Sequence, residues 1–159
     1  MSAKVKPVPD GYRSVTPYLF VRGASDALAF YARAFNARER MRIPGPGGRL
    51  AHAEIEIGDS VIMLSDESPE MSALGPQSLG GTSFSVMIYV EDVDAMYQQA
   101  IAAGAKALHA VQTQFYGDRS GSVIDPFGHQ WYLATHVEDV SPEEVFKRMD
   151  AMMKNAGGS

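Results

Sequence analysis

The chain has 159 residues, of which 45% are hydrophobic and 21% charged, with a net charge of −5 and no cysteine. This composition fits one globular domain or two small modules sharing a core. It excludes disulfides, thiol catalysis and cysteine metal sites, argues against nucleic-acid binding, which needs a basic face, and contains no apolar run near the ~20 residues of a membrane span.

Residues 1–13 are rich in Lys, Pro and Gly and read as a surface arm; they lack the apolar core of a signal peptide, so a cytoplasmic protein is expected. A first strand is expected over Val15–Val21, with Val15, Leu19 and Val21 on one face and Thr16, Tyr18 and Phe20 on the other. A helix follows, capped by Ser25 or Asp26, with Ala24, Ala27, Leu28, Tyr31 and Phe35 as its buried stripe and Asn36 as its left-handed stop. Pro44–Gly48 is a loop. Leu50–Ile57 alternates strictly, placing His52, Glu54 and Glu56 on one face, and Gly58-Asp59 turns it into a second strand, Ser60–Ser65.

Residues 67–82 are polar and rich in Ser, Gly and Pro, an inter-module linker or a lid. Ser83–Val90 repeats the design of the first strand: Phe84, Val86, Ile88 and Val90 face one way, Ser85, Met87 and Tyr89 the other. A second helix opens at Asp92 and stops at Gly104. Lys106–Gln112, Asp118–Ile124 and His129–Thr135 are strands, the last two joined by a turn at Asp125-Pro126-Phe127-Gly128. Ser141-Pro142-Glu143-Glu144 is a capping box opening a short amphipathic helix; its Phe146, Met149, Met152 and Met153 are expected to dock on the body or on a partner.

Residues 18–37 and 86–105 therefore state one strand–helix pattern twice, which points to two half-sheets and a site where the halves meet. The repeat, the stretch AHAEIEIGDSVIMLSD (51–66) and the stretch DPFGHQWYLATH (125–136) resemble the glyoxalase/bleomycin resistance/dioxygenase (vicinal oxygen chelate) superfamily, and within it the PhnB-like branch. The likeness covers roughly residues 14–140. It implies an α+β fold of two tandem βαβββ modules, 14–66 and 83–137, forming an open, curved mixed sheet with a barrel-like cleft, followed by a C-terminal helix and tail at 138–159. It also implies a homodimer.

In metal-dependent members, the first and last strand of each module supply the metal ligands. The matching positions here are Thr16 and Met63, then Ser85 and Tyr132. Hydroxyls, a thioether and a neutral phenol do not replace the imidazoles and carboxylates that a divalent ion takes, so no metal is expected there. The same positions, with Tyr18, Phe20, Met87 and Tyr89, describe an aromatic, Met-lined pocket for a flat or apolar small molecule. A filled core is the bland reading of the same set. Tyr116 and Arg119 belong to an aromatic–Gly–x–Arg segment that shapes the ligand groove in resistance-type members; Arg119 either pairs an anionic ligand group or binds Asp118 or Asp125.

His52 and Glu54 are the candidate catalytic pair. Their bland reading is a solvated or dimer-contact face; the functional one is an acid/base pair or part of a metal site. Trp131 is expected under a helix, His129 in a structural role, and His109 and His136 show no partner in the sequence. The leading expectation is metal-independent binding or sequestration of an apolar or aromatic molecule, without cofactor. The alternatives are a metal-dependent lyase, isomerase or dioxygenase using His52 and Glu54, and a ligand-free interaction module.

Overall fold

The structure is a computed structural model, and it describes residues 5–157. Its elements run β1 (Tyr18–Val21), α1 (Ala24–Phe35), β2 (Arg38–Pro44), β3 (Leu50–Ile57), β4 (Ser60–Asp66), a one-turn α2 (Pro76–Leu79), β5 (Ser85–Tyr89), α3 (Val93–Ala103), β6 (Lys106–Thr113), β7 (Asp118–Ile124), β8 (Gln130–His136) and α4 (Pro142–Ala156). The strands form two mixed sheets in the same order, β1-β4-β3-β2 and β5-β8-β7-β6. In each, the first strand runs parallel to the last and the other neighbours are antiparallel. This is the expected α+β fold of two βαβββ modules with a C-terminal helix, and the sheets do not close a barrel.

Helices α1 and α3 pack on each other between the sheets. Alternation dictates which face each sheet turns to them. Leu19, Val21, Ile55 and Leu64 from the first sheet, and Ile88, Val123, Trp131 and Leu133 from the second, join Tyr31, Phe35 and Tyr97 in one continuous core. Trp131, fully buried, lies 4.7 Å from Phe35 and 5.1 Å from Tyr31, centroid to centroid. The expected position of Trp131 under a helix is therefore what the fold uses, although the helix belongs to the other module.

Several local expectations change. β1 begins at Tyr18, not Val15, because Pro17 has no N–H to donate; Val15 is left in solvent. The N-cap of α1 is Gly23, not Ser25 or Asp26: the Asp66 carboxylate reaches across from β4 and accepts from the N–H groups of Gly23 and Ala24. β2, which the sequence pattern did not single out, is an edge strand with charged side chains at most positions. The segment after β4 packs closely, since the Glu67 carboxylate accepts from Gly75 N and the Ser78 hydroxyl. On α4, Ser141 accepts from Glu144 N as the capping box requires, but Phe146, Met152 and Met153 are exposed.

Candidate functional site

Each sheet has a second face that carries no helix, and the candidate residues divide between these two faces. On the first sheet, the register sets Tyr18 beside Met63, Met63 beside Glu54 and Glu54 beside Met41, a row crossing all four strands. The next row is Phe20, Ser65, His52 and Ile43. Because strand side chains alternate, every one of these points away from α1. The Tyr18 ring lies 5.2 Å from that of Phe20 and 5.5 Å from that of His52, tilted against both. The Tyr18 hydroxyl lies 2.8 Å from His52 Nδ1, and His52 Nε2 lies 3.1 Å from Glu54 Oε1.

Glu54 is buried under the N-terminal arm, whose Tyr12 donates its hydroxyl to the second carboxylate oxygen. Arg40 stands 3.9 Å from that oxygen and lies over the Tyr12 ring. Burial alone would raise the Glu54 pKa. The hydrogen bonds from Tyr12 and His52 and the charge of Arg40 outweigh it and hold the carboxyl below its ordinary range. The same bond to Glu54, followed by loss of solvent, raises the Tyr12 phenol.

Tyr18 and Phe20 also form the floor of a groove of about 500 Å³, walled by Pro46, Leu50, Ala51 and Met71. Arg49 and Glu70 bring one charge of each sign to its lining; of the other two acidic residues there, Asp66 spends its carboxylate on the N–H groups of Gly23, Ala24 and Leu50, and Glu67 pairs with Arg22 at 2.9 Å. Thr16 and Met63 border a separate shallow depression beneath the arm.

On the second sheet, Met87, Tyr132, Ser122 and His109 form the corresponding row. His109 Nδ1 lies 2.7 Å from the Ser122 hydroxyl, and the His109 and Tyr132 rings stack. Tyr89 donates to Asp118 Oδ2 at 2.9 Å, while His136 sits between Asp118 and Asp139 at 2.8 and 2.9 Å. The bonds to Asp118 and then Asp139 raise the His136 pKa; the bond to Asp118 raises that of Tyr89. His109 and His136 thus both have partners; Ser122 and Asp118 come from the neighbouring strand, while Asp139 lies only three residues from His136.

Arg119 pairs through two hydrogen bonds of 2.7 Å with Asp94, at the start of α3, rather than with Asp118 or Asp125. Tyr116 is half-exposed at the end of the β6–β7 loop, and Ser85 lies at the exposed start of β5. His129 donates from Nε2 to the Phe20 carbonyl, tying the second module to the edge of β1. Among the described residues, no hydrogen bond or ring contact joins a side chain of one helix-free face to a side chain of the other.

A family model for the glyoxalase/bleomycin resistance protein/dioxygenase superfamily matches residues 13–133. The chain belongs to this superfamily. An uncharacterized protein of Mycobacterium bovis is 42% identical over 141 residues, covering 87% of this chain and 93% of its own. Among solved structures, TioX from Micromonospora sp. ML1 superposes with a TM-score of 0.64 at 27% identity, covering 79% of this chain and 99% of TioX. The fosfomycin resistance protein FosX from Listeria monocytogenes, complexed with Mn(II) and sulfate, superposes with a TM-score of 0.60 over 84% of this chain and 97% of FosX; at 17% identity it shares the fold.

A metal fits poorly among the residues of this superfamily member. Thr16, Met63, Ser85 and Tyr132 offer no imidazole or carboxylate. His52 and Glu54 are occupied with each other, Tyr18 and Tyr12, and no third acidic or imidazole ligand joins them. Among the described residues, no group of three His, Asp or Glu side chains is placed to hold an ion.

Proposed function

We propose that the protein binds a neutral, apolar or aromatic small molecule without a metal, on the helix-free faces of its sheets, and that it works as a homodimer. The observation that carries this reading is the groove over Tyr18 and Phe20, with aromatic and apolar walls and one charge of each sign at its edge, Arg49 and Glu70, that forms no salt bridge among the described residues. Its size is that of a small-molecule site, and its balanced charge suits an uncharged ligand. The partly exposed Met87, Tyr89 and Tyr116 give the second face similar chemistry. The free edge of β5 and the inter-module crevice that it lines leave room for a second copy. Within the superfamily we place the chain in the PhnB-like branch, on the strength of residues 51–66 and 125–136.

The test is a titration of metal-stripped protein with flat aromatic compounds, neutral, cationic and anionic, read by calorimetry. Saturable binding of neutral members, unchanged by added zinc or manganese and lost on Phe20→Glu, supports the reading. Binding that appears only when metal is restored, or only for charged members, overturns it.

A further inference from the structure

We propose that Tyr18, His52 and Glu54 form a proton relay, through which this protein removes and returns an acidic proton on a bound carbonyl compound. The inference rests on the reading of the Tyr18–Phe20 groove as a ligand site and adds an activity to it.

The hydrogen-bond order fixes the direction of the relay. An ionised carboxylate only accepts, so His52 Nε2, 3.1 Å from Glu54 Oε1, carries the hydrogen. In the neutral imidazole Nδ1 is then a bare acceptor, and the Tyr18 hydroxyl at 2.8 Å donates to it. Tyr18 is the member that reaches the groove: the residue is 40% exposed and lines it, and beyond its bond to His52 the hydroxyl has no hydrogen-bond partner among the described residues. Glu54 is 4% exposed and held by Tyr12, so the far end of the chain is dry and fixed. The logic is that of a nucleophile–imidazole–carboxylate triad, with a phenol in the position of the nucleophile.

The step balances without metal or redox partner. The Tyr18 oxygen takes the proton from a carbon beside the ligand carbonyl as its own proton passes to His52 Nδ1. The electron pair of the broken C–H bond moves into the enolate, and Glu54 stabilises the imidazolium. Reversal returns the proton to the same carbon or to the enolate oxygen, so the net reaction is exchange or keto–enol tautomerisation. The substrate class is a neutral, flat, apolar carbonyl compound with an acidic α-hydrogen, since the groove is walled by Tyr18, Phe20, Pro46, Leu50 and Met71 and its Arg49 and Glu70 balance each other.

The experiment uses 2-indanone in D₂O, with loss of its α-proton signal followed by NMR and its binding followed by calorimetry. Wild type is expected to accelerate exchange above buffer, with saturation. Tyr18→Phe, which keeps the ring, is expected to lose the acceleration while binding remains. Glu54→Gln is expected to slow exchange by about 10²–10⁴-fold. Nitrogen shifts of the His52 ring in wild-type protein test the geometry independently of any variant's folding. They should report the Nε2–H form, and an Nδ1–H form overturns the proposal. Binding without accelerated exchange, or acceleration that survives Tyr18→Phe, overturns the relay and leaves the binding reading standing. Failure of 2-indanone and every other neutral aromatic to bind overturns both.

Discussion

Tyr31 Oη and Trp131 Nε1 both donate to Asp125 Oδ2, at 2.7 and 2.8 Å, and the N–H groups of Phe127 and His129 donate to Asp125 Oδ1 at 2.9 and 3.0 Å. One buried carboxylate is thereby satisfied by four donors, and one of them comes from the other module. Burial, and then the neighbouring carboxylate, push the Tyr31 phenol well above its ordinary pKa. Tyr31→Phe removes a charge-assisted hydrogen bond and leaves the ring packing intact, so a loss of about 1.5–3 kcal/mol is expected. A lower urea midpoint at unchanged slope would show it.

His136, which is half-exposed, carries a pH dependence of stability. Its folded pKa is raised above 6.5 by Asp118 and Asp139. The contribution to stability is therefore fully present below the unfolded value, and it is lost as pH rises through the folded one. The melting-temperature gap between wild type and His136→Ala should be widest near pH 5.5, shrink toward pH 9 and narrow with added salt. A gap that grows with pH would refute the assignment.

At the scale of elements, most of the pattern could be read in the residues. The left-handed stops at Asn36 and Gly104, the Asp92 cap, the Gly128 turn and the α4 capping box are local chemistry, and each sits where the sequence places it. What could not be read was chemistry supplied from a distance. Asp66 caps α1 from a strand more than 40 residues away, and β2 at the sheet edge has few apolar positions to mark it.

Gly117 belongs to the same class. It adopts φ 100°, its carbonyl accepts from Val137 and Glu138 N–H, and a Cβ would overlap the Glu138 carbonyl oxygen. Glu138 in turn holds Arg148 of α4 at 2.7 and 2.9 Å, and Arg148 also donates to the Phe115 carbonyl. Gly117→Ala costs about 1–3 kcal/mol in backbone strain alone. Because the lost contacts are those of residues 137–140, the expected result is selective. Amide exchange should rise along α4 while β7 and β8 stay protected; equal loss of protection everywhere would place the effect in the core instead.

The whole molecule shows why the residues of the candidate site were legible and their arrangement was not. Alternation groups Tyr18 with Phe20, His52 with Glu54, and Met87 with Tyr89, each within its own strand; that the first two pairs share a face, and that Tyr132 joins the third, is decided by strand pairing. That α1 and α3 would pack together between the sheets depends on contacts such as Tyr31 and Phe35 with Trp131, which no local pattern reveals. The consequence is that the two candidate faces lie on the far sides of their sheets from the shared core.

If the proposed dimer closes a cleft, the first face of one copy must therefore meet the second face of the other. This makes a sharp expectation for mixed variants. Phe20→Glu spoils the first face and Met87→Glu the second, and neither variant alone should bind. After unfolding and refolding a 1:1 mixture, half the dimers are mixed, and one of the two clefts in each is intact. Calorimetry should then recover about a quarter of the wild-type site density. Recovery of nothing, with the mixed dimer present by sedimentation, would mean that the two faces do not meet across the dimer. A monomer at micromolar concentration would remove the dimer from the proposal altogether.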